Sequence, residues 1–171
     1  NTDSDEAIEL AKKYNVNYWK RDGYYASSKC LNSDFWKHIA ETTDCDHLMF
    51  TNSTNPLVKL ETYNSIIKKY NHMKSPYDSL NTVSDEKHFL YLKGKPINFD
   101  PKVAPNSQNL PEIVKLNFAV NIISKKLMFN KKSVIGDTPL FHKLDEIEGV
   151  DIDTKLDFDF AEFLHKQYFK Q

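Results

Sequence analysis

The chain has 171 residues, enough for one domain with a hydrophobic core, and its composition is typical of a soluble globular protein. Acidic and basic residues are interspersed and the formal net charge is −1, which argues against nucleic acid or an anionic membrane as a partner. No apolar run reaches the length of a membrane span, and Asn1 to Asp5 do not resemble a signal peptide. Cys30 and Cys45 fit neither a disulfide framework nor a zinc site, so we expect a cytoplasmic protein.

The first part of the chain predicts a helix, a short strand and a second helix. Asp3 followed three residues later by Glu6 is a helix start signal, and Asn15 tolerates the left-handed conformation in which helices end. A strand is expected at 16–19. Positions 33–42 then carry apolar residues at helical spacing, which predicts a helix that packs on the core.

A polar loop follows the next predicted strand. The apolar run 47–50 is typical of a buried parallel strand, and the loop 51–56 precedes a helix whose inward residues are expected to be Tyr63, Ile66, Ile67 and Tyr70. The side chains and free backbone N–H groups of this loop could hold a sugar or a base. The same composition also fits a plain turn.

The middle of the chain predicts strands at 78–83 and 88–93, with a turn at 94–95. Segment 98–111 is rich in proline and asparagine, which indicates a long surface loop, a lid or a subunit contact. A buried strand is expected at 118–123 and one or two helical turns at 125–130. The lysines near these turns could steer phosphates or simply form a solvated face.

Two carboxylates, Asp151 and Asp153, stand at a predicted strand-to-helix junction near the end of the chain. In alternating strand and helix domains, ligands collect outside the carboxyl ends of strands, and hard oxygen ligands there suit Mg²⁺ that bridges to a substrate phosphate. The alternative is that Thr154 caps the helix and the acids face water. We expect the helix to close the core with Phe160, Ala161, Leu164 and Tyr168.

The histidines show no paired metal-ligand spacing, and with only four glycines the chain holds no Gly-rich phosphate loop. The order of its segments nevertheless resembles one family, the acylneuraminate cytidylyltransferases or CMP-sialic acid synthetases. The resemblance spans essentially the whole chain. It is carried by segments 2–5, 52–57, 78–79, 108–111, Asn117, 135–137 and 151–154.

This resemblance implies a three-layer α/β fold of the nucleotide-diphospho-sugar-transferase type, a Rossmann-like mixed sheet with flanking helices. It implies one domain, 1–171, that starts after the CTP-binding strand and loop, with segment 84–117 as a dimerisation and sugar-pocket insert. The implied activity joins CMP from CTP to an acidic nine-carbon-type sugar and releases pyrophosphate, with Mg²⁺ as cofactor. The residues carried over are Asp151 and Asp153 for metal and catalysis, and Asn52, Thr54, Gln108 and Asn117 for substrate.

Three departures from the family pattern leave two functions open. The family's basic loop for the CTP triphosphate would precede Asn1, Ser107 replaces the Arg that pairs with the sugar carboxylate, and Asn117-Phe118 replaces Asn-Gly, with Asn121 in place of a Tyr. The chain is either an active cytidylyltransferase with an altered sugar pocket or a non-catalytic relative kept for binding or assembly. The resemblance also implies a homodimer through 91–111 and Phe141, although 91–111 could be an exposed loop.

Overall fold

The computed structural model describes residues 1–103 and 105–169; position 104, inside the predicted loop 98–111, and the final two positions of the predicted domain lie outside that description. The contacts group the chain into two compact units, Asn1–Leu48 with Ile123–Gly136, and Met49–Ile122 with Asp137–Gln171. In the described residues the elements follow in this order: α1 (Asp5–Lys13), α2 (Asn32–Thr42), β1 (His47–Thr51), α3 (Leu60–Asn71), β2 (Ser79–Glu86), β3 (Tyr91–Leu92), β4 (Lys95–Pro96), a 3₁₀ turn (Ser107–Asn109), β5 (Ile113–Ser124), α4 (Lys125–Lys131), β6 (Pro139–Lys143) and α5 (Lys155–Tyr168).

The first unit begins with α1, whose start lies one residue later than predicted. Ser4, rather than Asp3, is the N-cap, and its hydroxyl accepts a hydrogen bond from the backbone N–H of Ala7. Asn15 adopts a left-handed conformation with φ 53°, as expected from its side chain. The strand predicted at 16–19 is wrong. Val16 and Trp19 are more than half exposed, so no face of this segment is buried against a sheet.

Helices α2 and α4 pack against each other in the same unit. The apolar face predicted for α2 is confirmed by the burial of Ile39 and Ala40. Ser124 caps α4 by accepting a hydrogen bond from the N–H of Leu127, and the helix ends at Lys132 in a left-handed conformation with φ 52°.

One sheet has four strands, in the order β1-β5-β2-β6. Strands β2 and β6 are parallel, with Val83 opposite Lys143. Strand β6 was not predicted, because its five residues include Pro139 and His142 and show no clear alternation. Buried residues of β2, β5 and α3, together with Leu144 directly after β6, form one core cluster; its members are Ile66, Leu80, Ala119, Val120, Ile122 and Leu144.

Helices α3 and α5 differ from prediction in which side chains they bury. Ile66 is buried, whereas Ile67 is 39% exposed, so the buried face of α3 is narrower than the sequence predicted. In α5, Ala161 and Leu164 join a cluster around Leu57, while Phe160 and Tyr168 are exposed. Phe160 and Leu164 are four residues apart and share a face, so helical spacing alone does not distinguish them; packing around Leu57 decides which side chains are buried.

The predicted strand 88–93 is reduced to the two residues of β3, which pairs with β4 in a small antiparallel hairpin. Its turn lies at Lys93 and Gly94, both with positive φ, one residue before the predicted position. Among the described residues, no helix combines the length and the apolar character needed to span a membrane.

Candidate functional site

The segment that carries Asp151 and Asp153 leads directly into α5. Thr154 caps this helix, and a capping box joins it to Asp157: the Thr154 hydroxyl accepts from the N–H of Asp157, and Asp157 accepts from the N–H of Thr154. Asp157 also accepts from the N–H of Asp153 at 3.2 Å. Hydrogen bonds from Thr154 hold the pKa of Asp157 below its ordinary value. The capping role expected of Thr154 is therefore confirmed, and Asp157 serves the helix.

Asp151 differs from Asp157 because one of its carboxylate oxygens has no partner. Asp151 Oδ1 is buried and receives no hydrogen bond. A buried carboxylate oxygen without a donor is costly unless a proton, a water molecule or a cation binds it. Asp153, two residues later, is exposed.

Both residues line one cleft of about 510 Å³, which is within the usual size of a small-molecule site. We call it the acidic cleft. Its lining contains five carboxylates and one lysine, so its negative charge favours binding of a cation, alone or with phosphate. Its lining residues are Ser84, Asp85, Lys115, Leu116, Asn117, Glu146, Gly149, Val150, Asp151, Asp153, Asp157 and Phe160.

The acidic cleft fits Mg²⁺ only as a partly open site. Within residues 1–103 and 105–169, no three or more His, Cys, Asp or Glu side chains are placed together to hold a metal ion. Mg²⁺ commonly takes one or two protein carboxylates and completes its octahedron with water and substrate phosphate. Asp151, with its unpartnered oxygen, and Asp153 would be those two carboxylates.

Asn117 lies in the wall of the acidic cleft and is buried, with its side chain used inside the protein. Its Oδ1 accepts from the hydroxyl of Thr82 at 2.7 Å, and its Nδ2 donates to Ser84 Oγ at 2.9 Å. The next residue, Phe118, has φ 55°, a conformation that glycine adopts easily. The backbone at position 118 therefore has a conformation that a glycine would also adopt.

Gly149 also lines the acidic cleft and lies close to Ser84. A Cβ atom at this position would lie 2.6 Å from Ser84 Oγ and 3.0 Å from the carbonyl oxygen of Asp145. The turn before Asp151 can thus approach the end of β2 closely only without a side chain.

The loop with Asn52 and Thr54 lies beside the predicted metal residues, although the two segments are about a hundred positions apart. The N–H of Ile152 donates to the carbonyl oxygen of Thr54 at 2.9 Å. Asn55 Nδ2 donates to the carbonyl oxygen of Val150 at 3.1 Å. Asn52 and Thr54 are half-buried there.

Gln108 lines a second cleft, which we call the Gln108 cleft. Asp85 lines both clefts, so the two adjoin at the end of β2. Two residues that the sequence did not single out matter here, Asp85 and Lys143, whose side chains form an ion pair at 2.9 Å. Lining residues of the Gln108 cleft are Asp85, Glu86, Lys87, Ser107, Gln108, Leu110, Pro111, Glu112, Ile113 and Lys143.

No protein-family model matches the chain. It is 26% identical to "Post-translational flagellin modification protein B" of Campylobacter coli, over 97% of this chain and 75% of that protein. A solved structure of 4-diphosphocytidyl-2C-methyl-D-erythritol synthase from Anaerococcus prevotii shares the fold with a TM-score of 0.69 at 12% identity, over 96% of this chain and 74% of that one.

The bifunctional IspDF of Campylobacter jejuni gives a TM-score of 0.59 at 12% identity, over 90% of this chain and 39% of that one. These structural likenesses establish the fold, a mixed α/β sheet with flanking helices as in such nucleotidyltransferases, and they confirm the predicted fold class. Membership of the acylneuraminate cytidylyltransferase family stays a prediction.

Proposed function

We propose that this chain is a Mg²⁺-dependent cytidylyltransferase that joins CMP from CTP to an acidic sugar of the nine-carbon type and releases pyrophosphate. One observation carries the proposal: Asp151, which has a buried and unpartnered carboxylate oxygen, and Asp153 line the same acidic cleft. The fold is one that cytidylyltransferases use. The similarity to a flagellin modification protein supports a product that serves protein modification.

The reaction would be an in-line displacement at phosphorus. A hydroxyl oxygen of the sugar forms a bond to the α-phosphorus of CTP, the bond from that phosphorus to the oxygen bridging to the β-phosphate breaks, and pyrophosphate leaves. The hydroxyl proton passes to solvent. Bound Mg²⁺ would neutralise charge on the phosphate oxygens.

The residues of the chain would contribute mainly position and charge. Asp151 and Asp153 would hold the cation at the start of α5. Asn117 would hold the end of β2 in place through its hydrogen bonds with Thr82 and Ser84. It would affect sugar binding by shaping this wall of the acidic cleft. Thr54 and Asn52 would contact the sugar or nucleotide from the loop that hydrogen-bonds to Ile152. Gln108 would contact the sugar in the adjoining cleft.

The test is an assay for pyrophosphate release on the protein expressed from its whole reading frame. CTP and Mg²⁺ are offered with a panel of nine-carbon sugar acids, and with ATP, GTP and UTP in place of CTP as controls. Release with CTP and one sugar acid supports the proposal. No release by a folded protein with any sugar contradicts it and favours the non-catalytic alternative.

We also propose a homodimer through the 84–117 segment. Phe89 and Tyr91 pack edge-on against Phe99, while Phe89 and Tyr91 remain about half exposed. Exposed aromatic residues of this kind are enriched in interfaces. Sedimentation of the wild type and of Tyr91→Asp tests this: a dimer that the substitution dissociates supports the proposal, and a monomeric wild type contradicts it.

A further inference from the structure

The Gln108 cleft contains a lysine whose charge is shared by two carboxylates. Lys143 Nζ, at the end of β6, contacts Asp85 Oδ1 at 2.9 Å and also Glu112 Oε1. These hydrogen bonds raise the pKa of Lys143, with Glu112 the larger cause. The side chain of Lys143 is 46% exposed and lines the cleft.

The two carboxylates differ in exposure. The side chain of Glu112 is 70% exposed, whereas that of Asp85 is 41% exposed and projects from β2 beside β6. Exposed ion pairs contribute little to stability, because solvent screens them and their side chains lose entropy. A carboxylate that enters the cleft can therefore replace Glu112, the more exposed partner, at little cost, while Asp85 stays paired with the lysine.

The charge of the cleft explains why this exchange matters. Its lining includes the acids Asp85, Glu86 and Glu112 but only two lysines, Lys87 and Lys143. A carboxylate ligand that entered while Glu112 was still paired with Lys143 would be repelled by the excess negative charge of the cleft. If it takes the place of Glu112, one carboxylate replaces another at the same ammonium group.

We propose that Lys143 binds the carboxylate of the acidic substrate, and that Glu112 occupies this position until the substrate arrives. The inference rests on the proposed function, which supplies an acidic sugar. Ser107, which lines the same cleft, carries no charge, so Lys143 would supply the positive charge that binds the substrate carboxylate. Lys143 is then a specificity-determining residue, and Glu112 sets how tightly the acid binds.

The test measures binding without turnover. N-acetylneuraminic acid and its methyl ester, which lacks the charge, are titrated by ligand-observed NMR into wild-type protein, Lys143→Met and Glu112→Gln. The matched controls are Lys166→Met and Glu162→Gln. These two residues form an ion pair of similar exposure on α5 and line neither cleft.

We expect the wild type to bind the acid more tightly than the ester, and Lys143→Met to lose about tenfold in affinity for the acid, down to that of the ester. Glu112→Gln should bind the acid several-fold more tightly than wild type, and the control variants should match wild type. Equal affinity of wild type and Lys143→Met for the acid, or no binding of the acid at all, would overturn the role of Lys143. An unchanged affinity of Glu112→Gln would overturn the role of Glu112.

These experiments distinguish failure of the proposed carboxylate site from failure of the proposed function. Acid binding that depends on Lys143, without pyrophosphate release from CTP, rejects the cytidylyltransferase and keeps the carboxylate site. Pyrophosphate release whose KM for the sugar acid is unchanged in Lys143→Met keeps the enzyme and rejects the carboxylate site.

Discussion

Asp157 Oδ2 accepts a hydrogen bond from the backbone N–H of Asp153 at 3.2 Å, so the carboxylate that caps α5 also fixes the backbone of a predicted metal ligand. The capping box of Thr154 and Asp157 does not use the carboxylates of Asp151 and Asp153, so both carboxylates stay available to the proposed metal site. Of the two interpretations that the sequence left open, the helix cap at Thr154 is confirmed, and the metal site at Asp151 and Asp153 stays a prediction.

Asp157→Asn should destabilise the protein in a pH-dependent way. The pKa of Asp157 is lowered by its hydrogen bonds to Thr154, so its charged form stabilises the fold above the ordinary carboxyl range, near pH 4, and this contribution is lost as pH falls through the lowered pKa. Urea unfolding midpoints of wild type and Asp157→Asn should differ at pH 7 and converge in acid below that pKa. A difference that is the same at both pH values would contradict this account.

Gly149→Ala should reduce stability by about 1–3 kcal/mol, because a Cβ there overpacks the wall of the acidic cleft. The added atom would meet Ser84 Oγ at 2.6 Å and the Asp145 carbonyl oxygen at 3.0 Å. Gly23→Ala is the matched control, since nothing lies within 4 Å of the corresponding Cβ position. Urea unfolding measures both, and an equal effect of the two substitutions would refute the close approach.

Lys132→Gly should stabilise the protein by about 1 kcal/mol, because Lys132 ends α4 in a left-handed conformation that disfavours residues with a Cβ. Lys132→Ala removes the same long side chain but keeps the Cβ, so it should give no such gain. The free energy of unfolding from urea titration distinguishes the two. A glycine variant no more stable than the alanine variant would contradict the explanation.

Ser107→Arg should lower the KM for a carboxylated sugar about tenfold and leave the KM for CTP unchanged, because a guanidinium group can bind a carboxylate through two hydrogen bonds. Ser107 lines the cleft that also holds Gln108 and Lys143. Ser107→Gln adds bulk without charge and serves as the control. If neither KM changes in Ser107→Arg, the sugar carboxylate binds elsewhere.

Much of the local structure follows from the sequence. Asn15 at the end of α1 and Thr154 at the start of α5 are signals that act within a few residues, and each is found as predicted. The strand expected at 16–19 was wrong because strand residues need a partner and a buried face, which a local pattern does not provide.

The site could be predicted only in part for the same reason. Asp151 and Asp153 stand out because they adjoin a helix start, a local signal. Asp85 and Lys143 become neighbours only because β2 and β6 pair in parallel, and β6 was not recognised. Likewise, Thr54 meets Ile152 through a contact across about a hundred positions, which no spacing within the sequence indicates.

The most direct test of the central claim is Mg²⁺-dependent pyrophosphate release by wild type and Asp153→Asn, with Asp159→Asn as control. Asp153 lines the acidic cleft, whereas Asp159 pairs with Lys155 on α5 and does not line it. We predict that Asp153→Asn keeps the fold, loses at least a hundredfold in kcat, and is partly restored by high Mg²⁺, while Asp159→Asn remains as active as wild type. Wild-type activity in folded Asp153→Asn at low Mg²⁺ would contradict the assignment of this cleft as the catalytic metal site.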